Sequence, residues 1–165
     1  MKILSISNQK GGVGKTTTAV NLAASLSMKK QKVLLIDLDP QGNASSGAGI
    51  EKSKLTHSIY DALIENLNMT NVIISSKDNL FDIAPANQAL AGAEVEMVNI
   101  KKREYVLKSA LEDIKQKYDY VLIDCPPALN LLTVNALTAS QSVLIPMQCE
   151  YYALEGLSDL VNTIK

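Results

Sequence analysis

The sequence predicts an α/β fold in which a doubly wound, mostly parallel sheet carries helices on both faces. Short apolar runs of strand length alternate along the chain with stretches of helical periodicity. The apolar runs are nearly continuous, which is typical of strands buried on both faces of a parallel sheet. A glycine-rich turn joins the first such run to the first helical stretch. Together these observations favour a fold of the P-loop NTPase type.

The first three elements form a βαβ unit with a right-handed crossover. Its strands are predicted at residues 2–7 and 32–37, which are short and rich in Ile, Val and Leu. The helix between them has an apolar stripe with helical spacing, formed by Ala19, Leu22, Ala23 and Leu26.

The alternation continues through the rest of the chain. Further strands are predicted at 79–84, 119–124 and 142–146. A helix is predicted at 103–117, and the last one has a stripe formed by Leu154, Leu157, Val161 and Ile164. The more polar segments 40–58 and 85–102 are predicted to be loops or short helices at the sheet edge.

Composition is typical of a soluble globular protein. The chain has 165 residues, 47% of them hydrophobic, and 16 Lys and Arg against 17 Asp and Glu give a net charge of −1. No apolar run is long enough to span a membrane, and residues 1–12 lack the apolar core of a secretory signal. We therefore expect a cytoplasmic protein without membrane attachment.

We expect residues 1–165 to form a single nucleotide-binding domain. The last helical pattern runs to Lys165 without a Gly or Pro stop signal, so the domain is expected to be incomplete at its C-terminus. The near-zero net charge argues against strong nucleic-acid binding by these residues. Fifteen lysines accompany a single arginine, Arg103. A positive charge at a phosphate site must therefore come from lysine, backbone N–H groups or a metal ion.

The glycine-rich turn carries the strongest functional signal. It reads Lys10-Gly11-Gly12-Val13-Gly14-Lys15-Thr16-Thr17 and lies between the first strand and the first helix. Backbone N–H groups at a helix N-terminus bind phosphate, a lysine reaches the β- and γ-phosphates, and a following hydroxyl ligates Mg²⁺. These roles fall to residues 11–14, to Lys15 and to Thr16, with Thr17 on the α-phosphate side. The alternative is a glycine-rich turn that binds nothing.

Two acidic strand ends should face this loop, because ligands bind at the carboxyl ends of strands in such sheets. The second strand ends in Asp37-Leu38-Asp39-Pro40, and the strand at 119–124 ends in Asp124-Cys125-Pro126-Pro127. An acid after four apolar residues is typical of a Walker B strand, so Asp124 is a candidate for holding Mg²⁺ through water. The alternative for the first segment is an Asp-Pro turn with solvated carboxylates.

The phosphate loop departs from the general P-loop pattern, because Gln9 stands where the first glycine is expected and Lys10 precedes a double glycine. This form, KGGVGKTT, resembles the deviant Walker A motif of the ParA/MinD group of ATPases. The segments DLDPQGNASSG, IDCPPALNLLTVNALTAS and IPMQCEYYALEGL resemble Soj-type ParA chromosome and plasmid partitioning ATPases. The resemblance covers essentially the whole chain.

The resemblance implies roles for three residues. Lys10 reaches across a dimer to the phosphates bound by the other subunit, Asp39 orients the attacking water, and Asp37 supports the hydration shell of the metal. It also implies a slow, Mg²⁺-dependent ATPase that forms a homodimer around ATP.

The expected partners are nonspecific DNA, through a region beyond residue 165, and a ParB-type protein that stimulates hydrolysis. The protein would then associate with the nucleoid. Two alternatives stay open: a MinD-like regulator at the membrane and a metabolic P-loop enzyme.

Other reactive side chains have structural interpretations. Cys125 is predicted to be a small buried residue, and an iron–sulfur cluster on Cys125 and Cys149 is disfavoured because neither lies in a cluster-binding motif. His57 is the only histidine, which excludes a His-based metal site within one subunit. The basic run 101–103 is predicted to be a solvated face.

Overall fold

The fold is built on a six-stranded sheet, seen in a computed structural model that describes residues 1–148. The strand order is β3-β4-β2-β5-β1-β6, and every neighbouring pair is parallel except β3 and β4. The strands are β1 Lys2–Ile6, β2 Val33–Asp37, β3 Ile74–Ser75, β4 Asp82–Ala84, β5 Tyr120–Asp124 and β6 Ser142–Leu144.

Helices cover both faces of this sheet. They are α1 Lys15–Met28, α2 Asn43–Gly47, α3 Ile59–Leu63, α4 Met69–Val72, α5 Leu90–Met97, α6 Val106–Ala110 and α7 Leu131–Ala139. Single 3₁₀ turns lie at Lys52–Lys54, Arg103–Tyr105 and Leu111–Ile114. None of the helices within residues 1–148 is long and apolar enough to cross a membrane.

The apolar side chains of the strands divide between two cores, one on each side of the sheet. In β2, Val33 and Leu35 pack toward α1 and α2, whereas Leu34 and Ile36 pack toward α3–α7. All four are buried. Successive side chains of a strand point to opposite faces, so a strand covered on both faces must be apolar throughout. This explains the continuous apolar runs in the sequence.

The register of the central strands brings three chain segments to one edge. Ile6 of β1 and Asp37 of β2 both lie opposite Asp124 of β5. Two backbone hydrogen bonds continue this alignment past the strand ends, from Leu38 N to the Asp124 carbonyl (2.9 Å) and from Cys125 N to the Ile6 carbonyl (3.1 Å). The loops that follow β1, β2 and β5 therefore start at the same level.

The predicted α/β fold and mostly parallel sheet are confirmed, and several boundaries differ. Strand β4 begins only at Asp82, because residues 76–80 form a turn with Asn79 at φ 52°, and the short antiparallel β3 was not predicted. Helix α5 lies within the segment 85–102, where loops or short helices were predicted, whereas α7 was not predicted. The helix predicted around residues 154–164 lies outside the described residues.

The predicted helix 103–117 is divided into 3₁₀ and α segments, and one side chain of α7 interrupts it near its start. In an α-helix the Leu107 N–H would donate to the Arg103 carbonyl. Instead Leu107 N donates to Asn135 Oδ1 (3.1 Å), and Asn135 Nδ2 donates to the Arg103 carbonyl (2.8 Å). A side chain inserted into the helical ladder interrupts it. The sequence prediction of one continuous helix was therefore wrong.

The two-core arrangement predicts that truncating a central β2 side chain is strongly destabilising. Leu35→Ala removes a fully buried side chain and should lower the free energy of unfolding by about 2–5 kcal/mol. Urea denaturation measures this change. Val95→Ala is the control, since Val95 is 74% exposed and its truncation should change stability by no more than about 0.5 kcal/mol. Equal effects of the two substitutions would contradict the described core.

Candidate active site

The loop between β1 and α1 presents backbone donors to open space. Gly12 (φ 75°) and Gly14 (φ 90°) adopt the left-handed conformation, which glycine accepts without steric cost. Gly14 caps α1 without a side chain, and no acidic residue lies in the first helical turn. No acid of the helix itself therefore neutralises the positive end of its dipole, and such a helix end favours binding of an anion.

The glycines of the loop have open space on the side where a side chain would project. A Cβ atom built on Gly11, Gly12 or Gly14 would meet no heavy atom within 4 Å. These glycines are therefore not required by packing within residues 1–148.

Lys15, the first residue of α1, is held inside this loop. Its side chain is only 7% exposed, and Nζ donates to the Lys10 carbonyl at 3.1 Å. Burial lowers the pKa of Lys15, whereas the nearby carboxylates of Asp124 and Asp39 act in the opposite direction. The ammonium group is thus placed between the loop backbone and the two acids.

Thr16 and Asp124 form the link between the loop and the end of β5. The Thr16 hydroxyl donates to Asp124 Oδ2 at 2.7 Å, and Asp124 is completely buried. Asp124 Oδ1 is also buried and has no hydrogen-bond partner within residues 1–148. Burial raises the pKa of Asp124 to about 7, and Asp37 and Asp39 act in the same direction, opposed by the Thr16 hydrogen bond and Lys15.

This pair fits a magnesium ion. A buried carboxylate oxygen without a partner is costly, and a nearby cation would stabilise its charge. Mg²⁺ in nucleotide sites is bound by a hydroxyl, one or two carboxylates and phosphate oxygens rather than by a cage of protein ligands. The part of the chain that the structure describes contains no cluster of three or more His, Cys, Asp or Glu side chains able to hold a metal ion.

Asp39 lies on the loop after β2, at the same edge as Asp124, and is half-buried. Its Oδ1 accepts from Gln41 N (2.9 Å), and its own N–H donates to Asp37 Oδ1 (3.1 Å). Asp37 is fully buried and its other oxygen, Oδ2, accepts from the backbone and hydroxyl of Ser45. Both Asp37 oxygens are therefore used within the protein, whereas Asp39 faces the open edge.

The remaining residues of the loop are also at this edge. Lys10 is half-buried at the start of the loop, with its N–H donating to Asn8 Oδ1 at 3.0 Å. Val13 is buried, and Thr17 is exposed on the first turn of α1. The structure thus brings together every residue of the predicted site, with Asp37 set behind the others. The roles of these residues remain predictions.

Two features at this edge had no specific role in the sequence analysis. Asn8 Nδ2 donates to the Pro146 carbonyl (2.8 Å), and Gln148 Nε2 donates to the Gly12 carbonyl (3.2 Å), so the segment after β6 borders the phosphate loop. The second feature is Ser45 of helix α2, whose N–H and hydroxyl both donate to Asp37 Oδ2. Nothing in the sequence distinguishes Ser45 from its neighbour Ser46, so its position is found only from the structure.

The other side chains singled out in the sequence lie elsewhere or are structural. Cys125 is buried, and burial raises the pKa of its thiol, as expected of an inert small residue. His57 is partly exposed beside Asp61, and residues 101–103 are exposed. Cys149 lies outside the described residues.

A family model described as an AAA domain matches residues 1–165. The chain belongs to this family. Within it, the chain is 57% identical to the sporulation initiation inhibitor protein Soj of Bacillus subtilis, a match covering 99% of this chain and 65% of that protein. It is 55% identical to the chromosome partitioning protein ParA of Myxococcus xanthus, covering 99% and 58%. The resemblance to ParA/Soj-type partitioning ATPases is thereby confirmed, and the chain spans less than two thirds of the length of these relatives.

Solved structures of related proteins have the same fold. Cobyrinic acid a,c-diamide synthase of Mycobacterium smegmatis, with a bound ATP analog and magnesium, is 40% identical with a TM-score of 0.95, covering 99% of this chain and 67% of that one. A putative plasmid partition protein of Borrelia burgdorferi bound to AMPPNP is 38% identical with a TM-score of 0.88, covering 99% and 68%. This AAA family chain therefore resembles both partition proteins and a biosynthetic enzyme.

The environment of Asp124 predicts a pH-dependent stability in the absence of nucleotide and metal. The pKa of Asp124 is raised from 3.8 to about 7 in the folded state, so the folded state favours the protonated carboxyl. The stability associated with this protonation is fully present below about pH 4 and is lost as the pH rises through 7. Asp124→Asn removes this loss. Its stability relative to the wild type should increase by ~2 kcal/mol between pH 5 and pH 8, measured by urea denaturation.

Asp78→Asn is the matched control, because Asp78 lies on an exposed turn away from the site. Its stability should follow that of the wild type at both pH values. If the stability of Asp124→Asn changes with pH as that of the wild type does, Asp124 is not the group whose ionisation causes the loss.

Proposed function

We propose that the chain is the nucleotide-binding part of a Mg²⁺-dependent ATPase that acts as an ATP-driven dimerisation switch in chromosome or plasmid partitioning. The observation that carries the proposal is the contact of Thr16 with the buried Asp124, whose second oxygen has no partner among residues 1–148. This contact lies directly beside Lys15 at the N-terminus of α1. The 55% identity to the chromosome partitioning protein ParA of Myxococcus xanthus supports the partitioning role.

Nucleotide binding uses the groups already held at this edge. The N–H groups of residues 11–14 contact the phosphates, Lys15 neutralises the β- and γ-oxygens, and Thr17 contacts the α-phosphate side. Thr16 and Asp124 hold Mg²⁺, with Asp37 behind them. When bound, Mg²⁺ neutralises negative charge on the phosphate oxygens.

Hydrolysis requires a water molecule placed in line with the γ-phosphate, and Asp39 is the acid at the open edge that positions it. Lys15 stabilises charge on the phosphates within the same subunit. Lys10 supplies a second positive charge to the nucleotide of the other subunit, since the chain has a single arginine, Arg103, which is exposed and far along the chain from the loop. ATP is thus the group that joins two copies of the chain.

The switch acts through partners of the ATP-bound dimer. We propose that the dimer binds DNA nonspecifically on the nucleoid in the cytoplasm, and that a ParB-type protein stimulates hydrolysis and releases it. Slow basal turnover is expected, because the ATP state must persist until the partner arrives. The names of the Bacillus and Myxococcus relatives support this assignment.

The second candidate is a metabolic P-loop enzyme. It is favoured by the 40% identity and TM-score of 0.95 to the Mycobacterium cobyrinic acid a,c-diamide synthase. The two candidates differ in what stimulates phosphate release. Stimulation by DNA together with a ParB-type protein supports the switch, whereas stimulation by a small carboxylic acid supports the enzyme.

Asp39→Ala tests the hydrolytic step in the full-length protein. Loss of the water-positioning carboxylate should reduce phosphate release about 100-fold while ATP still binds. The ATP dimer should then persist, as seen by size-exclusion chromatography with ATP. Asp78→Ala, in an exposed turn, is the control and should hydrolyse ATP like the wild type. Loss of ATP binding in Asp39→Ala would contradict the proposed role.

Lys10→Ala tests the contact between subunits. The monomer should bind ATP with near-normal affinity, because Lys15 and the loop backbone remain, but the ATP-dependent dimer should not form. Analytical ultracentrifugation with ATP measures the dimer. Lys29→Ala, at the exposed C-terminal end of α1, is the control and should dimerise normally. A normal dimer in Lys10→Ala would refute the role of Lys10 in the partner's site.

A further inference from the structure

The buried carboxylate of Asp37 connects three segments that surround Asp39. Oδ1 accepts from the Asp39 backbone N–H at 3.1 Å. Oδ2 accepts from Ser45 N at 2.8 Å and from Ser45 Oγ at 2.7 Å. One carboxylate therefore joins the end of β2 to the following loop and to helix α2.

Ser45 extends this connection to a fourth segment. Its hydroxyl, which donates to Asp37, accepts from the Ala86 N–H at 3.0 Å in the loop after β4. Ser45 and Ala86 are both 0% exposed. A buried network in which every group has a partner holds its members in one arrangement. We call the set Asp37, Ser45 and Ala86 the bracket.

The loop that carries Asp39 is otherwise a closed turn. Gly42 N donates to the Asp39 carbonyl at 2.8 Å, and Gln41 N donates to Asp39 Oδ1 at 2.9 Å. These two bonds fix the shape of the turn. Its start is held on the sheet by the backbone bond from Leu38 N to β5 (2.9 Å) and by the bond from Asp39 N to Asp37 Oδ1. Only the second of these two involves the backbone of Asp39 itself.

We infer that Ser45 is a positioning residue for ATP hydrolysis, acting through Asp37 to fix the place of the Asp39 carboxylate. The inference rests on the proposed role of Asp39. Asp37 then has a structural role, because both of its carboxylate oxygens already accept hydrogen bonds from Asp39 and Ser45. Small displacements of a positioned catalytic group reduce the rate of the chemical step more than they reduce substrate binding.

Ser45→Ala is the first test. It removes the hydroxyl that bridges Asp37 and Ala86 while it keeps the Ser45 N–H contact. The kcat for ATP hydrolysis should fall about tenfold or more, with the affinity for a nonhydrolysable ATP analogue unchanged. Ser46→Ala is the matched control in the same helix. Ser46 is exposed, and its hydroxyl donates to the Gly42 carbonyl rather than to the bracket, so its kcat should stay within about twofold of the wild type.

The double variant Ser45→Ala/Asp39→Ala separates positioning from a general structural effect. If Ser45 acts through Asp39, adding Ser45→Ala to Asp39→Ala should cause no further loss of kcat. A further tenfold loss in the double variant would overturn the inference. If Asp39→Ala alone leaves hydrolysis intact, the proposed role of Asp39 fails, and the inference fails with it.

Two further measurements test the inference without relying on kcat. Hydrogen exchange at the Asp39 and Ala86 amides should be faster in Ser45→Ala than in Ser46→Ala, because only the first variant disturbs their acceptors. The Mg²⁺ concentration at half-maximal activity should be unchanged in Ser45→Ala and in Asp37→Asn. Unchanged amide exchange, or a tenfold higher Mg²⁺ requirement in either bracket variant, would overturn the inference in favour of a metal-supporting role for Asp37.

Discussion

The candidate site depends on the ionisation of one buried carboxylate. Asp124 has no exposed surface, its pKa is raised to about 7, and one of its oxygens lacks a partner among the described residues. Such a group is costly in a folded protein unless a cation or a hydrogen-bond donor compensates it. The neighbouring groups are suited to this: a hydroxyl on one oxygen, a buried lysine nearby, and an open glycine-rich loop at a helix N-terminus. In the proposed function, a metal ion and a nucleotide would complete the interactions of this carboxylate.

The parallel sheet makes this arrangement possible because it aligns three strand ends. Asp37 and Asp124 face each other in register, and both are fully buried. The two acids differ in the hydrogen bonds that their carboxylates accept. Both oxygens of Asp37 accept hydrogen bonds, from Asp39 and Ser45, whereas one oxygen of Asp124 has no hydrogen-bond partner within residues 1–148. The same strand ends therefore carry one acid that is bonded within the protein and one that has an oxygen available in the proposed site.

Much of the fold and most of the site follow from local sequence signals. The spacing of Gly12, Gly14 and Lys15 and the acids at strand ends depend on short segments, so they can be recognised without a structure. Tertiary contacts explain the failures. Asn135 interrupts the helix predicted at 103–117 from 28 residues away, and no local propensity signals that insertion. Ser45 differs from Ser46 only in facing Asp37, a distinction set by how α2 packs on the sheet.

The account is tested most directly by the coupling between Mg²⁺ and nucleotide binding, measured by fluorescence titration of a labelled ATP analogue with and without Mg²⁺. If Asp124 and Thr16 hold the ion, Mg²⁺ should strengthen nucleotide binding about tenfold or more in the wild type. It should have little effect in Asp124→Asn. Equal strengthening in the wild type and in Asp124→Asn would contradict the account, because the buried carboxylate would then have no part in holding the metal.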